Sequence, residues 1–258
     1  MDIAEALPTL VATPIQLALA CLVAFAASIL GGLSGYGTGL VLPVFLVPVV
    51  GIANVVPVMA VGMLINNGSR VVAFWRNIEW PRVRRLLALG LPACALGAWS
   101  YTLLDARWIG LLLGTFLLLS VPLRRVLRRA QIPLSPGAET AGGAVFGFVN
   151  GGLTGAGIIL ISLLMSAGVA GAALVATDAI ISVIMGLAKV ALFGSLAALN
   201  AKLALIGLLV GACTAPGAFV ARALLKRIPA GVHAGFMEVV VVAGALALLW
   251  RAGRFGGD

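Results

Sequence analysis

The 258 residues are 62% hydrophobic and only 10% charged, with a mean hydropathy of +1.18. Soluble domains carry about 25% charged residues, so this composition excludes a soluble globule; the unbroken apolar runs equally exclude a β-barrel, whose segments alternate over about ten residues. The formal net charge of +9 falls in short breaks between apolar runs, where arginine and lysine set membrane orientation, and so argues against a nucleic-acid partner.

In chain order the apolar runs are 13–33, 36–50, 53–75, 83–104 and 107–123, then 138–152, 154–170, 172–195, 200–224 and 231–251. Runs of roughly 20 apolar residues cross a bilayer as helices. The chain is therefore expected to be an all-α membrane protein, a polytopic helical bundle of about 8–10 hydrophobic segments. Asp2 and Glu5 precede the first run, with no basic region, so that run reads as an uncleaved helix and not as a signal peptide. Arg76, Arg82, Arg84 and Arg85 lie in one connection, Arg124, Arg125, Arg128 and Arg129 in a second, and Lys226 with Arg227 in a third. Alternation of the runs puts all three on the cytoplasmic side, and only Arg251 and Arg254 go against that orientation. Cys21, Cys94 and Cys213 are odd in number and lie within apolar runs. They do not form a disulfide framework, and Cys94 and Cys213, at near-equivalent places in the two halves, read as small interface residues.

Two stretches nearly repeat: Gly31-Gly32-Leu33-Ser34-Gly35-Tyr36-Gly37, and 120 residues later Gly151-Gly152-Leu153-Thr154-Gly155-Ala156-Gly157. The match continues through Leu40 and Leu160, Ala53 and Ala173, Gly97 and Gly217, and Ala98 and Ala218. One residue out of step, Arg70 meets Lys189 and Phe74 meets Phe193. The chain thus divides into a first repeat over 1–130 and a second over 131–258, joined at 131–137 through Pro133 and Pro136 within one integrated membrane domain. Five runs per half is an odd number, which predicts two inverted-topology repeats. Runs 36–50 and 138–152 hold about 15 residues, or roughly 22 Å of helix, short of a core of about 30 Å. Broken or short helices are therefore expected at the glycine motifs, turning back within the membrane where protein or a watery cavity surrounds them.

Glycine lets the backbone unwind, which frees the first N–H groups of the following helix to attract an anion. Ser34, Thr38 and Thr154 add hydroxyl donors, so Gly31, Gly32, Ser34, Gly35, Gly37 and Thr38 from one copy, with Gly151, Gly152, Thr154, Gly155 and Gly157 from the other, form a candidate oxyanion cradle. The alternative reading is close helix packing through small residues. The duplicated motif, the small and amide residues that follow it and the repeat of four to five segments resemble the TauE/SafE family of sulfite exporters over almost the whole chain. The resemblance implies a multi-pass carrier of the bacterial inner membrane, of the 4-toluene sulfonate uptake permease type, moving sulfite, sulfoacetate or a related sulfur or carboxylate anion. Gly39 facing Ile159 and Pro43 facing Leu163 depart from an even duplication.

Ionisable groups within apolar runs are functional candidates because each is costly there. Arg70 and Lys189 can balance a bound anion or snorkel to the interface. Asp178 and Glu238 are candidate proton carriers, although Asp178 could equally complement a helix N-terminus. Asn66, Asn67, Asn150 and Thr177 offer further polar groups to the substrate. Expected partners are a small anion, the lipid bilayer, protons and a second copy in a homodimer, with no cofactor and no metal site. Two alternatives compete with a carrier: an anion channel, which would need a charge ring or carbonyl filter, and a rhomboid-like serine protease. The protease would pair Ser34 of Gly32-Leu33-Ser34-Gly35 with His233, the only histidine. Replacement of the serine by Thr154 in the second copy, and a histidine placed for an interfacial role, argue against an enzyme.

Overall fold

A computed structural model describes residues 14–34, 37–129, 134–224, 239, 241–250 and 252, and among these every regular element is helical. Each apolar run contains one helix. These are α1 (Pro14–Ser34), α2 (Gly37–Val50), α3 (Val55–Phe74), α4 (Trp80–Thr102) and α5 (Ala106–Arg129), followed by α6 (Pro136–Gly152), α7 (Gly157–Ser166), α8 (Gly171–Ser195) and α9 (Ala201–Leu224). The last is α10 (Val241–Trp250). The segments Ile52–Asn77, Ala106–Leu123 and Gly171–Ser195 are long and apolar enough to cross a bilayer. Large side chains such as Leu22, Leu96, Leu119 and Leu208 are exposed on the outside, as suits lipid and not water. The molecule is a helical membrane protein.

Short helices do occur, although not quite where run length places them. The short pair is α2, with 14 residues, and α7, with 10, about 21 and 15 Å long. By contrast α6 has 17 residues. Its start lies outside the counted apolar run because Ser135 caps it, accepting from the Ala138 N–H, and Pro136 sits in the first turn.

Small residues set the interior. Glycines on α6 press against the α4 backbone: Gly143 on Leu86, Gly147 on Gly90 and Gly151 on Cys94, each so close that a Cβ would overlap backbone atoms. The rising order of these pairs makes α4 and α6 parallel. The same holds for α1 and α9, where Cys21 lies beside Cys213 and Phe25 and Ser28 meet Gly217. On its other side α4 runs parallel to α8 (Glu79 to Thr177, Gly90 to Met185), and α9 runs parallel to α3 (Val58 to Gly207, Gly62 to Gly211). Two triples result, α6–α4–α8 and α1–α9–α3. They meet along α3 and α8, which run in opposite directions, since Ala60 and Leu64 face Gly186 while Arg70 faces Asp178. α2 packs on α1 and α3, and α7 on α6 and α8.

Candidate functional site

The second glycine motif breaks the chain as expected. α6 ends at Gly152, residues 153–156 are not helical, and α7 begins at Gly157. Gly155 adopts φ +84°, a conformation that glycine takes without steric cost, and lies against Gly39 and Leu40 at the start of α2. Beside it Thr154 is 6% exposed, and its Oγ1 has no hydrogen-bond partner among the described residues. Gly151 and Gly152 have a different role, since both face α4. In this copy the packing reading therefore holds for the first two glycines, and the loop reading for Gly155.

In the first copy Gly31, Gly32 and Ser34 lie in the last turns of α1, and Gly37 opens α2. Gly35, Glu238 and His233 fall outside the described residues, as does the side chain of Ser34. Thr38 is buried and donates from Oγ1 to the Ala27 carbonyl at 3.4 Å.

Lys189 is 8% exposed, and its Nζ donates to the Asn150 carbonyl at 3.0 Å. That carbonyl belongs to the last turn of α6, where helix C=O groups lack internal partners and the dipole is negative. Among the described residues Asn150 Nδ2 in turn approaches only sulfur, Cys94 Sγ at 3.9 Å and Met185 Sδ at 3.6 Å, both weak acceptors. Among the described residues no carboxylate pairs with Lys189. An ammonium, an amide and an orphaned hydroxyl thus collect at the end of α6 and in the loop beyond it, a neighbourhood rich in donors and poor in acceptors.

Arg70 stands in a contrasting setting. Its Nη1 meets Asp178 Oδ2 at 2.9 Å and Asn67 Oδ1 at 3.2 Å, joining α3 to α8. Neither cation turns outward along a lipid-facing surface, which corrects the snorkelling alternative: each reaches a partner on a neighbouring helix, Asp178 for Arg70 and Asn150 for Lys189. Asp178 is eighth in α8 and 3% exposed, beyond the first turn in which a macrodipole acts, so its charge answers Arg70 and not the helix end. Thr177 is occupied as well, accepting from the Glu79 N–H at the start of α4. Asn66 is half-buried, and its carbonyl accepts from Ser69.

Sequence reasoning missed one cluster at the arginine-bearing end. Glu139, 1% exposed in the first turn of α6, is held by Arg82 and Arg85 of α4, and Arg82 also donates to the Ala167 carbonyl at 2.9 Å. Glu139 stands at the edge of a polar connection and its partners lie more than fifty positions away, so no local pattern marked it.

The family described as Sulfite exporter TauE/SafE matches residues 20–248. No curated protein and no solved structure matches the chain.

Proposed function

Because the chain belongs to the sulfite exporter TauE/SafE family, we propose that it carries a small anion of the sulfite, sulfoacetate or related organosulfur or carboxylate class across the bacterial inner membrane by alternating access. The observation that carries this reading is Lys189, a buried cation whose one hydrogen-bond partner among the described residues is the Asn150 carbonyl. An ammonium has three N–H donors, so two remain for a ligand. With the Asn150 amide on the same residue as that carbonyl, the group with the most to gain from entering is an oxyanion, which accepts several hydrogen bonds and neutralises a charge that is costly in a low dielectric.

The packing supports an inverted repeat. Adding five to each helix number turns α4 against α6 into α9 against α1, turns α4 against α8 into α9 against α3, and leaves the α3 and α8 pair in place. Equivalent helices that meet antiparallel are related by a two-fold in the membrane plane, the arrangement in which one bundle rocks against another about a midplane site. Arg70 and Lys189 then occupy related places on opposite sides of the midplane. From Asp178, Arg70's partner, to Lys189 is eleven residues of α8, about 16 Å, half the hydrocarbon thickness.

A carrier is favoured over a channel because Lys189 and Arg70 are single groups bound to neighbouring helices, with no repeated ring to line a pore. Membership of a transporter family weighs against the protease reading. The test is uptake of radiolabelled sulfite into vesicles reconstituted with the full chain, beside Lys189→Met. Saturable uptake that is lost in the variant supports the proposal. Wild-type vesicles that accumulate neither sulfite nor sulfoacetate, thiosulfate or simple carboxylates above protein-free controls would overturn it, as would large unitary currents.

A further inference from the structure

Arg70 and Asp178 form an ion pair on the boundary between the two triples, near the arginine-bearing end. Arg70 belongs to α3, which packs with α9, and Asp178 to α8, which packs with α4. If the triples rock against each other, this pair must break and reform. Taking the anion reading above as its basis, we infer that Asp178 is a proton-binding site coupled to transport: its carboxylate occupies Arg70 in the empty protein, and an entering anion takes its place only when Asp178 binds a proton.

Charge balance motivates the exchange. The empty pair is neutral, one guanidinium against one carboxylate. Adding a monoanion alone would leave a net negative charge in a buried site, which is strongly disfavoured. Adding a proton to Asp178 with the anion returns the sum to zero: the carboxylate becomes a carboxylic acid, the Arg70 contact to Oδ2 is released, and the guanidinium offers its N–H groups to the anion while Asn67 Oδ1 keeps one. No bond beyond the O–H forms or breaks. One proton therefore accompanies each single negative charge, and a monoanion moves with no net charge.

The surroundings leave Arg70 as the partner that matters. From α4 and the turn before it, Arg76, Glu79 and Arg84 are exposed, while Arg82 and Arg85 are engaged by Glu139 of α6. α7 brings no charged side chain, and Lys189 on α8 itself lies three turns away. The repeat mate of Asp178 is Met59 on α3, so only one of the two cation stations has a tethered carboxylate to exchange.

The experiment uses the full chain in vesicles carrying an internal pH dye, with radiolabelled sulfite as probe, for the wild type, Asp178→Asn and the pair Arg70→Gln with Asp178→Asn. Expected are sulfite uptake with proton uptake in the wild type and, in Asp178→Asn, a fall of about tenfold or more in accumulation driven by a pH gradient, with sulfite-for-sulfite exchange kept within about threefold. The neutral double variant leaves no unpaired charge, so it separates misfolding from lost coupling: it should insert, and should lose gradient-driven accumulation too. Wild-type sulfite flux without proton movement would overturn the coupling alone. So would Asp178→Asn retaining the wild-type ratio of protons to sulfite. Absence of any wild-type flux would overturn the transport reading beneath it.

Discussion

Arg70 and Lys189 are near repeat mates, yet the protein treats them differently. Arg70 has a carboxylate partner across the α3–α8 boundary, whereas Lys189 has the carbonyl of a helix end within its own triple. The first arrangement is closed, with positive and negative charge matched. The second is open, since the Asn150 carbonyl brings no countercharge and leaves N–H donors to spare among the described residues. The two cations lie at near-equivalent sequence positions; what separates their chemistry is that Asp178 pairs with Arg70 and no carboxylate among the described residues pairs with Lys189. A matched cation yields to an anion only once its carboxylate is protonated, whereas an unmatched one can hold an anion directly.

The comparison is sharpest when each cation is removed alone. Arg70→Met leaves Asp178 buried without a partner, and breaking such a pair from one side costs about 3–5 kcal/mol. Lys189→Met leaves only a carbonyl. The expected result is a large loss of thermal stability in detergent for Arg70→Met and little loss for Lys189→Met, read by the fraction remaining monodisperse after heating. Equal losses in both would show that Lys189 is also structurally matched, and the distinction would fall.

Function should nonetheless respond to Lys189. Hydrogen bonds to charged groups contribute about 1.5–3 kcal/mol, so Lys189→Met should weaken the apparent affinity for sulfite by roughly 10- to 150-fold. Lys189→Arg should recover part of it, because the charge returns with a different fork of donors. Concentration dependence of sulfite uptake checks both, and a Lys189→Met protein of unchanged affinity would remove the station from the transport path.

Much of this was legible in the residues. Composition gives the membrane class, and among the described residues each of the ten runs coincides with a helix because lipid demands that each backbone segment satisfy its own hydrogen bonds. The repeated Arg70 and Lys189 stood out because charge in an apolar run is rare. What could not be read is pairing over distance: Arg70 and Asp178 are 108 positions apart, and Glu139 finds its arginines only once α6 lies along α4. Nor does the glycine motif show in one dimension that Gly151 serves packing while Gly155 serves the loop, since the division depends on which face of α6 meets α4.

The smallest expected effect bears on whether the open station extends beyond Lys189. Thr154 Oγ1 is buried with no partner among the described residues, and leaving a hydroxyl in that state costs about 1–3 kcal/mol unless something binds it. Thr154→Val keeps the shape of the side chain and removes the orphan, so the empty protein should be as stable as the wild type or more so. If the hydroxyl reaches the anion, the same substitution removes one hydrogen bond worth about 0.5–1.5 kcal/mol, a loss of roughly 2- to 12-fold in apparent affinity for sulfite. Stability and affinity then move in opposite directions, which marks a group kept for its ligand. Were both unchanged, Thr154 would belong to the loop alone and the station would reduce to Lys189 and Asn150.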